Sequence, residues 1–231
     1  GEIIGVTGLD GNGQDDFVKI LAGVQTSHGG TTEILDSNEN FLKYNSLDDA
    51  KNNGISFVSG DRKKEGILPN LSIYENLVIP LYKKTSKAGF LGFVNWMELN
   101  GIFDWEVERL SIKTGPRDNL IGSLSGGNQQ KVMIARSFAQ HPKILILNDP
   151  ARGIDVSTKR DLYVHLRKYV EEGNTVVFLS SELEEFIGLC PKVMVFRNGT
   201  VFDIFENEKV NADTLLEGMF GQTAGIGETT I

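Results

Sequence analysis

The chain has 231 residues, 40% of them apolar and 23% charged, which excludes a disordered or collagen-like polymer and suits one large domain or two small ones. Its 23 basic and 31 acidic side chains leave a formal net charge of −8, which argues against generic binding to nucleic acid or anionic lipid. The single cysteine, Cys190, rules out an internal disulfide and any multi-cysteine zinc site, and no stretch approaches the roughly 18 apolar residues of a membrane span.

Taken in chain order, the pattern alternates strand and helix. No signal peptide is visible, and the opening Gly1-Glu2-Ile3-Ile4 lacks an initiator Met, as if cut from something longer. Ile3 to Thr7 reads as a strand, a glycine-rich turn follows, and a helix runs from about Asp15 to Ala22. Gly54-Ile55-Ser56-Phe57-Val58-Ser59 reads as another buried strand. From about Gly66 to Gln140 the texture turns mostly helical, with loops rich in Lys, Gly and Asn from Lys83 to Gly92. Ser72-Ile73-Tyr74-Glu75 is a capping box, in which each polar side chain satisfies an orphan backbone amide at a helix start.

A helix from Asn128 to Gln140 carries Val132, Ala135, Phe138 and Ala139 at helical spacing and stops before Pro142. Lys143 to Asn148 is a fully apolar strand, Ser157 to Glu172 an amphipathic helix ended by Gly173, and Thr175 to Ser180 a further apolar strand. Lys192 to Arg197 and Thr200 to Phe205 flank Asn198-Gly199, a strong hairpin signal. The tail after Gly221 is Gly- and Thr-rich and reads as loose. Parallel buried strands with a helical insert predict an α/β sheet domain interrupted by a helical subdomain.

Two segments carry chemistry. Gly8-Leu9-Asp10-Gly11-Asn12-Gly13-Gln14-Asp15 lies between a strand and a helix in the frame of the phosphate-binding loop G-x-x-x-x-G-K-[S/T]. Glycines there let backbone amides point inward as an anion nest, and the helix adds its positive N-terminal end. Gln14 replaces the Lys that contacts β and γ phosphates, and Asp15 replaces the hydroxyl that holds Mg²⁺. Asp15 and Asp16 set carboxylates where phosphates belong; a like charge about 5 Å away costs roughly 3 kcal/mol at an effective dielectric of about 20. On these residues alone the segment reads as a phosphate loop or as a ligand-free βα turn, and the missing third glycine excludes a dinucleotide fingerprint. The second segment, Leu124-Ser125-Gly126-Gly127-Asn128-Gln129-Gln130, opens a helix, and a buried strand ending in Asn148-Asp149-Pro150 follows it. A hydroxyl and bare glycine amides at a helix start suit a γ-phosphate.

These two stretches resemble the signature motif and Walker B strand of ABC transporter ATPases. Val58 to Gly66 looks like the Q-loop region of the second ATPase half of sugar importers, Arg152-Gly153-Ile154-Asp155-Val156 like the D-loop, and Ser180-Ser181-Glu182-Leu183 like the switch region. The resemblance implies a RecA-like P-loop core sheet over residues 1–65 and 141–221, a helical signature subdomain over 66–140 and a loose tail over 222–231. The family's N-terminal strands, with the aromatic that stacks on adenine, are missing from this chain. It further implies ATP and Mg²⁺ as cofactors. ATP contacts fall to Gly8, Gly11, Asn12, Gly13, Gln14, Asp15, Asp16, Gly60, Asn148 and Asp155, with Asp15 a candidate Mg²⁺ ligand. Asp149 takes the catalytic glutamate's position and Ser181 that of the switch histidine.

The departures share one direction: Gln14, Asp15, Gly60, Asn148, Asp149 and Ser181 each replace a metal-, water- or phosphate-handling group, while Leu124, Ser125, Gly126, Gly127, Asn128 and Gln129 are whole. In ABC dimers each ATP lies between one half's phosphate loop and the other half's signature. The expectation is therefore a degenerate own site and a signature acting in trans, in the C-terminal half of a tandem ATPase serving a ribose- or galactose-type importer. Implied partners are the other nucleotide-binding half, transmembrane permease subunits and, indirectly, a periplasmic or lipoprotein sugar-binding protein, with no nucleic acid. Implied location is the cytoplasmic face of the membrane.

Three alternatives stand beside it: a non-hydrolysing structural or regulatory half, a nucleoside importer suggested by Asp10-Gly11-Asn12-Gly13-Gln14, and a soluble nucleic-acid ATPase, which the charge opposes. Elsewhere, His28 and His165 read as surface residues and His141 as a helix end. Phe90, Phe93, Trp96, Phe103 and Trp105 read as subdomain core or permease contact, Cys190 as core, and Glu182, Glu184 and Glu185 as a solvated helix face.

Overall fold

The computed structural model describes residues 1–35, 39–82 and 94–221. In chain order the strands are β1 (Ile3–Gly8), β2 (Thr32–Leu35), β3 (Phe41–Tyr44), β4 (Ile55–Val58), β5 (Ile144–Asn148), β6 (Thr175–Leu179), β7 (Lys192–Arg197) and β8 (Thr200–Glu206). The helices are α1 (Gln14–Leu21), α2 (Leu47–Asn52), α3 (Ile73–Val78), α4 (Trp96–Arg109), α5 (Gly126–Phe138), α6 (Val156–Glu171) and α7 (Ala212–Phe220).

Six strands form one sheet in the order β4-β5-β6-β1-β7-β8, and only the β7–β8 pair, turned through Asn198-Gly199, is antiparallel. Side chains alternate across the central strands. Leu145, Leu147, Val176 and Phe178 enter one core with α3 and α5, while Ile146, Val177 and Leu179 join Val6 and Val18 of α1 in another. Burial on both faces is why these strands are continuously apolar. All five parallel strands point the same way, so Gly8, Ser59, Asn148 and Ser180 cluster beyond their carboxyl ends, where open α/β sheets hold ligands.

The capping box at α3 forms as expected: Ser72 Oγ accepts from the Glu75 amide at 3.1 Å, and Glu75 Oε2 accepts from the Ser72 amide at 2.8 Å. Helix α5 begins two residues earlier than expected, at Gly126, because Ser125 is its N-cap.

Several expectations need correcting. Glu185 is buried, not solvated: its carboxylate accepts from Lys159 Nζ at 2.6 Å and from Ser180 Oγ at 2.6 Å. His165 is half-buried, and desolvation lowers its pKa. Of the aromatics, Phe103 is core and packs on Tyr74 with centroids 5.2 Å apart, whereas Trp96 and Trp105 are exposed. The β2–β3 hairpin and α2 and α7 were not anticipated. Phe90, Phe93, the Lys83 to Gly92 loops and the tail after Gly221 lie outside the described residues.

Candidate functional site

A cavity of about 780 Å³ opens at the carboxyl edge of the sheet. It is bounded by the β1–α1 turn, the segment after β4, the end of β5 and the end of β6. Gly8, Gln14, Asp15, Gly60, Asn148, Asp149 and Ser181 line it, so the structure gathers seven of the residues singled out from the sequence.

The β1–α1 turn is built by glycine. Gly11 and Gly13 have φ of 80° and 97°, a region that an L side chain enters only with strain. No side chain caps α1, so its first-turn amides stay without intrahelical partners beside the positive end of the helix. Asn12 pins the turn from outside, accepting at Oδ1 from the Asn198 amide at 2.7 Å.

Gln14 does not reach outward. It is buried, and its Nε2 donates to the carbonyls of Gly8 and Leu9 at 3.1 and 3.0 Å, while its Oε1 has no partner. Asp15 presents no free carboxylate. Its Oδ1 accepts from Asn148 Nδ2 at 2.6 Å, and its Oδ2 pairs with Lys19 Nζ at 2.6 Å. The like-charge penalty expected from Asp15 is thus offset by a cation one helical turn on. Lys19 was missed from the sequence, although an Asp four residues before a Lys on a helix was a legible signal. Its ammonium pKa is raised, chiefly by the hydrogen bond to Asp15.

At the far side of the cavity Asp149 sits at φ 44°, with its Oδ1 accepting from the Ser181 amide at 2.9 Å and facing the Ser181 hydroxyl at 3.4 Å. Burial pushes the Asp149 carboxyl above its ordinary value, and the Ser181 amide bond pulls the other way. Gly60 packs on Asn148: a Cβ there would stand 3.1 Å from the Asn148 carbonyl oxygen and 3.2 Å from its Oδ1.

These donors do not fit a resident Mg²⁺. Both Asp15 oxygens are engaged, Asn148 turns an N–H toward Asp15, and Gly60 offers no side chain. Among the described residues no group of three or more His, Cys, Asp or Glu side chains converges as a metal site.

The other expected residues stand apart. Ser125 to Gln129 do not line the cavity; only Gln130, one residue on, reaches it. Ser125 is exposed, and its Oγ accepts from the Asn128 amide at 3.4 Å and from Asn128 Nδ2 at 3.1 Å. Asn128 Oδ1 accepts from the Lys113 amide at 2.9 Å, and Gln129 Nε2 donates to the Leu124 carbonyl at 3.0 Å. Arg62 Nη1 donates to the Gly126 carbonyl at 3.0 Å, tying the cavity rim to this helix start. Asp155 caps α6 beside Gly127, accepting from the Thr158 amide at 3.0 Å. Gly11, Asn12, Gly13 and Asp16 shape the turn without lining the cavity.

The family model described as ABC transporter matches residues 1–152. The ribose import ATP-binding protein RbsA of Bacillus cereus is 38% identical over 216 residues, which is 94% of this chain and 42% of that protein. Its counterpart in Roseobacter denitrificans is 35% identical, over 96% and 42%. The chain thus spans about two fifths of the length of the curated relatives it matches. Among solved structures, the ATP-binding cassette MJ0796, dimeric and bound to ADP and Pi, superposes with a TM-score of 0.74 at 24% identity, covering 89% of this chain and 85% of that one. A nucleotide-free ATP-binding cassette from an ABC transporter gives 0.73 at 18% identity, over 90% and 82%.

Proposed function

Because this chain belongs to the ABC transporter family, we propose that it is the C-terminal ATP-binding half of a tandem importer ATPase for a ribose- or galactose-type sugar. It works as a peripheral domain on the cytoplasmic face of the membrane. It binds ATP at the cavity beside β1 and pairs with a second nucleotide-binding half, permease subunits and, through them, a sugar-binding protein. The division into a core over 1–65 and 141–221 and a signature subdomain over 66–140 belongs to the same reading.

The observation that carries the proposal is the contrast between Gln14 and Ser125. Gln14 is turned into its own loop, where it bonds Gly8 and Leu9, so it brings no charge to a β or γ phosphate. Asp149 has one oxygen taken by the Ser181 amide, and Ser181 has no ring nitrogen to pass a proton. Hydrolysis by this half on its own is therefore negligible. Ser125, exposed at the start of α5 with the Gly126 and Gly127 amides behind it, completes the site of the other half. The ribose importers among the relatives support the sugar assignment. A nucleoside as cargo is the second reading, favoured by Asp10-Gly11-Asn12-Gly13-Gln14.

The test is uptake of ribose, galactose and nucleosides by vesicles carrying the complete transporter with ATP inside. Sugar uptake supports the proposal, nucleoside uptake alone moves it to the second reading, and uptake of none overturns it.

A further inference from the structure

The cavity holds a cationic side chain where the family's loop would call for a metal. Lys19 lines it with a side chain 28% exposed, and its Nζ is 2.6 Å from Asp15 Oδ2. Asn148 holds the other Asp15 oxygen, and Gly60 packs on Asn148, so the carboxylate is fixed from both sides. An ammonium carries three N–H donors; Asp15 takes one, which leaves two for phosphate oxygens. Arg62, Lys63 and Arg152 line the same cavity with Asp10, Asp61, Glu65 and Asp149, of which Glu65 is held by Ser59 Oγ at 2.5 Å, Asp61 caps the Arg62–Gly66 turn and Asp149 accepts from the Ser181 amide.

We infer that Lys19 stands in for the divalent cation at this loop, so that the site takes a nucleoside triphosphate as its free polyanion, with no metal bridging it to the protein. The inference rests on the reading that the cavity is a nucleotide site. Asp15 is then a positioning residue: it aims the Lys19 ammonium at the phosphates, and Asn148 aims Asp15. Removing Lys19 turns the loop into the opposite kind of site, because the freed Asp15 oxygen becomes a ligand for the Mg²⁺ that travels with ATP.

The experiment is titration calorimetry of ATP into the 231-residue chain, once with excess Mg²⁺ and once with EDTA. The unsubstituted chain should bind at least as tightly in EDTA as in Mg²⁺, and Lys19→Met should bind about tenfold more weakly in EDTA than in Mg²⁺. Binding by the unsubstituted chain more than about threefold weaker in EDTA than in Mg²⁺ overturns the inference and leaves the nucleotide site standing. No heat in either condition, with folding confirmed by thermal unfolding, overturns both. If Lys19→Met does not fold, Asp15→Asn gives the second arm: it removes the carboxylate and should leave binding no weaker in EDTA than in Mg²⁺, whereas an acquired Mg²⁺ requirement contradicts the inference.

Discussion

The starts of α1 and α5 are both glycine-bearing helix N-termini, yet their side chains are spent differently. At α1 the polar groups bond one another across the cavity: Asp15 with Lys19 and Asn148, Gln14 with its own turn. At α5 the polar groups brace the local backbone, with Asn128 reaching Lys113 and Gln129 reaching Leu124, and Ser125 stays open to solvent. A helix N-terminus carries the same partial charge in both places. What separates them is whether the neighbouring side chains have already satisfied each other, as at α1, or leave a hydroxyl open to solvent, as at α5.

The largest expected effect is on turnover. Phosphate release by this chain alone, with Mg²⁺ and ATP, should fall at least about a hundredfold below the roughly 1 s⁻¹ at the bottom of the usual enzyme range. A rate near that value breaks the comparison, because the α1 site would then be catalytic. Next comes the platform under α5. Glu106 on α4 is buried and pushed up to about 7, chiefly by desolvation, and its partner Arg109 lies over the Phe138 ring of α5. Its folded pKa lies above the unfolded value, so the folded state holds more protons between the two. Stability should therefore fall as pH rises from about 4.5 to about 7, by up to about 3 kcal/mol. Glu106→Gln should flatten that profile in chemical denaturation, and an unchanged profile would remove Glu106 as its source.

A smaller effect sharpens the α1 side. Gln14→Lys with Asp15→Thr should tighten Mg-ATP binding by more than about tenfold, or about 1.4 kcal/mol, as a carboxylate gives way to a cation and a hydroxyl. Equal affinity in calorimetry would mean the loop does not meet phosphates. The smallest is local: Ser72→Ala, which breaks the capping box of α3 beside α5, should cost about 1 kcal/mol in urea unfolding. No loss would mean the box adds nothing to the subdomain.

How much of this was legible in the sequence follows from distance along the chain. The parallel strands were readable because each is a short apolar run, and the glycines of the α1 turn and the capping residues of α3 and α5 because their partners lie within a few residues. The β2–β3 hairpin was not: both strands keep exposed faces and carry no clean alternation. Glu185 looked solvated beside Glu182 and Glu184, since the lysine that buries it, Lys159, comes from α6. Asp15 was read as a repelling charge because Asn148, its partner across the sheet, is remote in sequence; only the Lys19 half of the pairing was local.

The central claim is that the chemistry of this half lies at Ser125 and not at Asp149. It is tested by reconstituting the complete tandem protein and measuring phosphate release for Ser125→Arg and Asp149→Asn side by side. The account predicts that Ser125→Arg abolishes release by filling the space before the α5 amides, while Asp149→Asn lowers it by less than about threefold, or about 0.7 kcal/mol. Equal damage from the two substitutions would contradict it and make the α1 site the one that turns over.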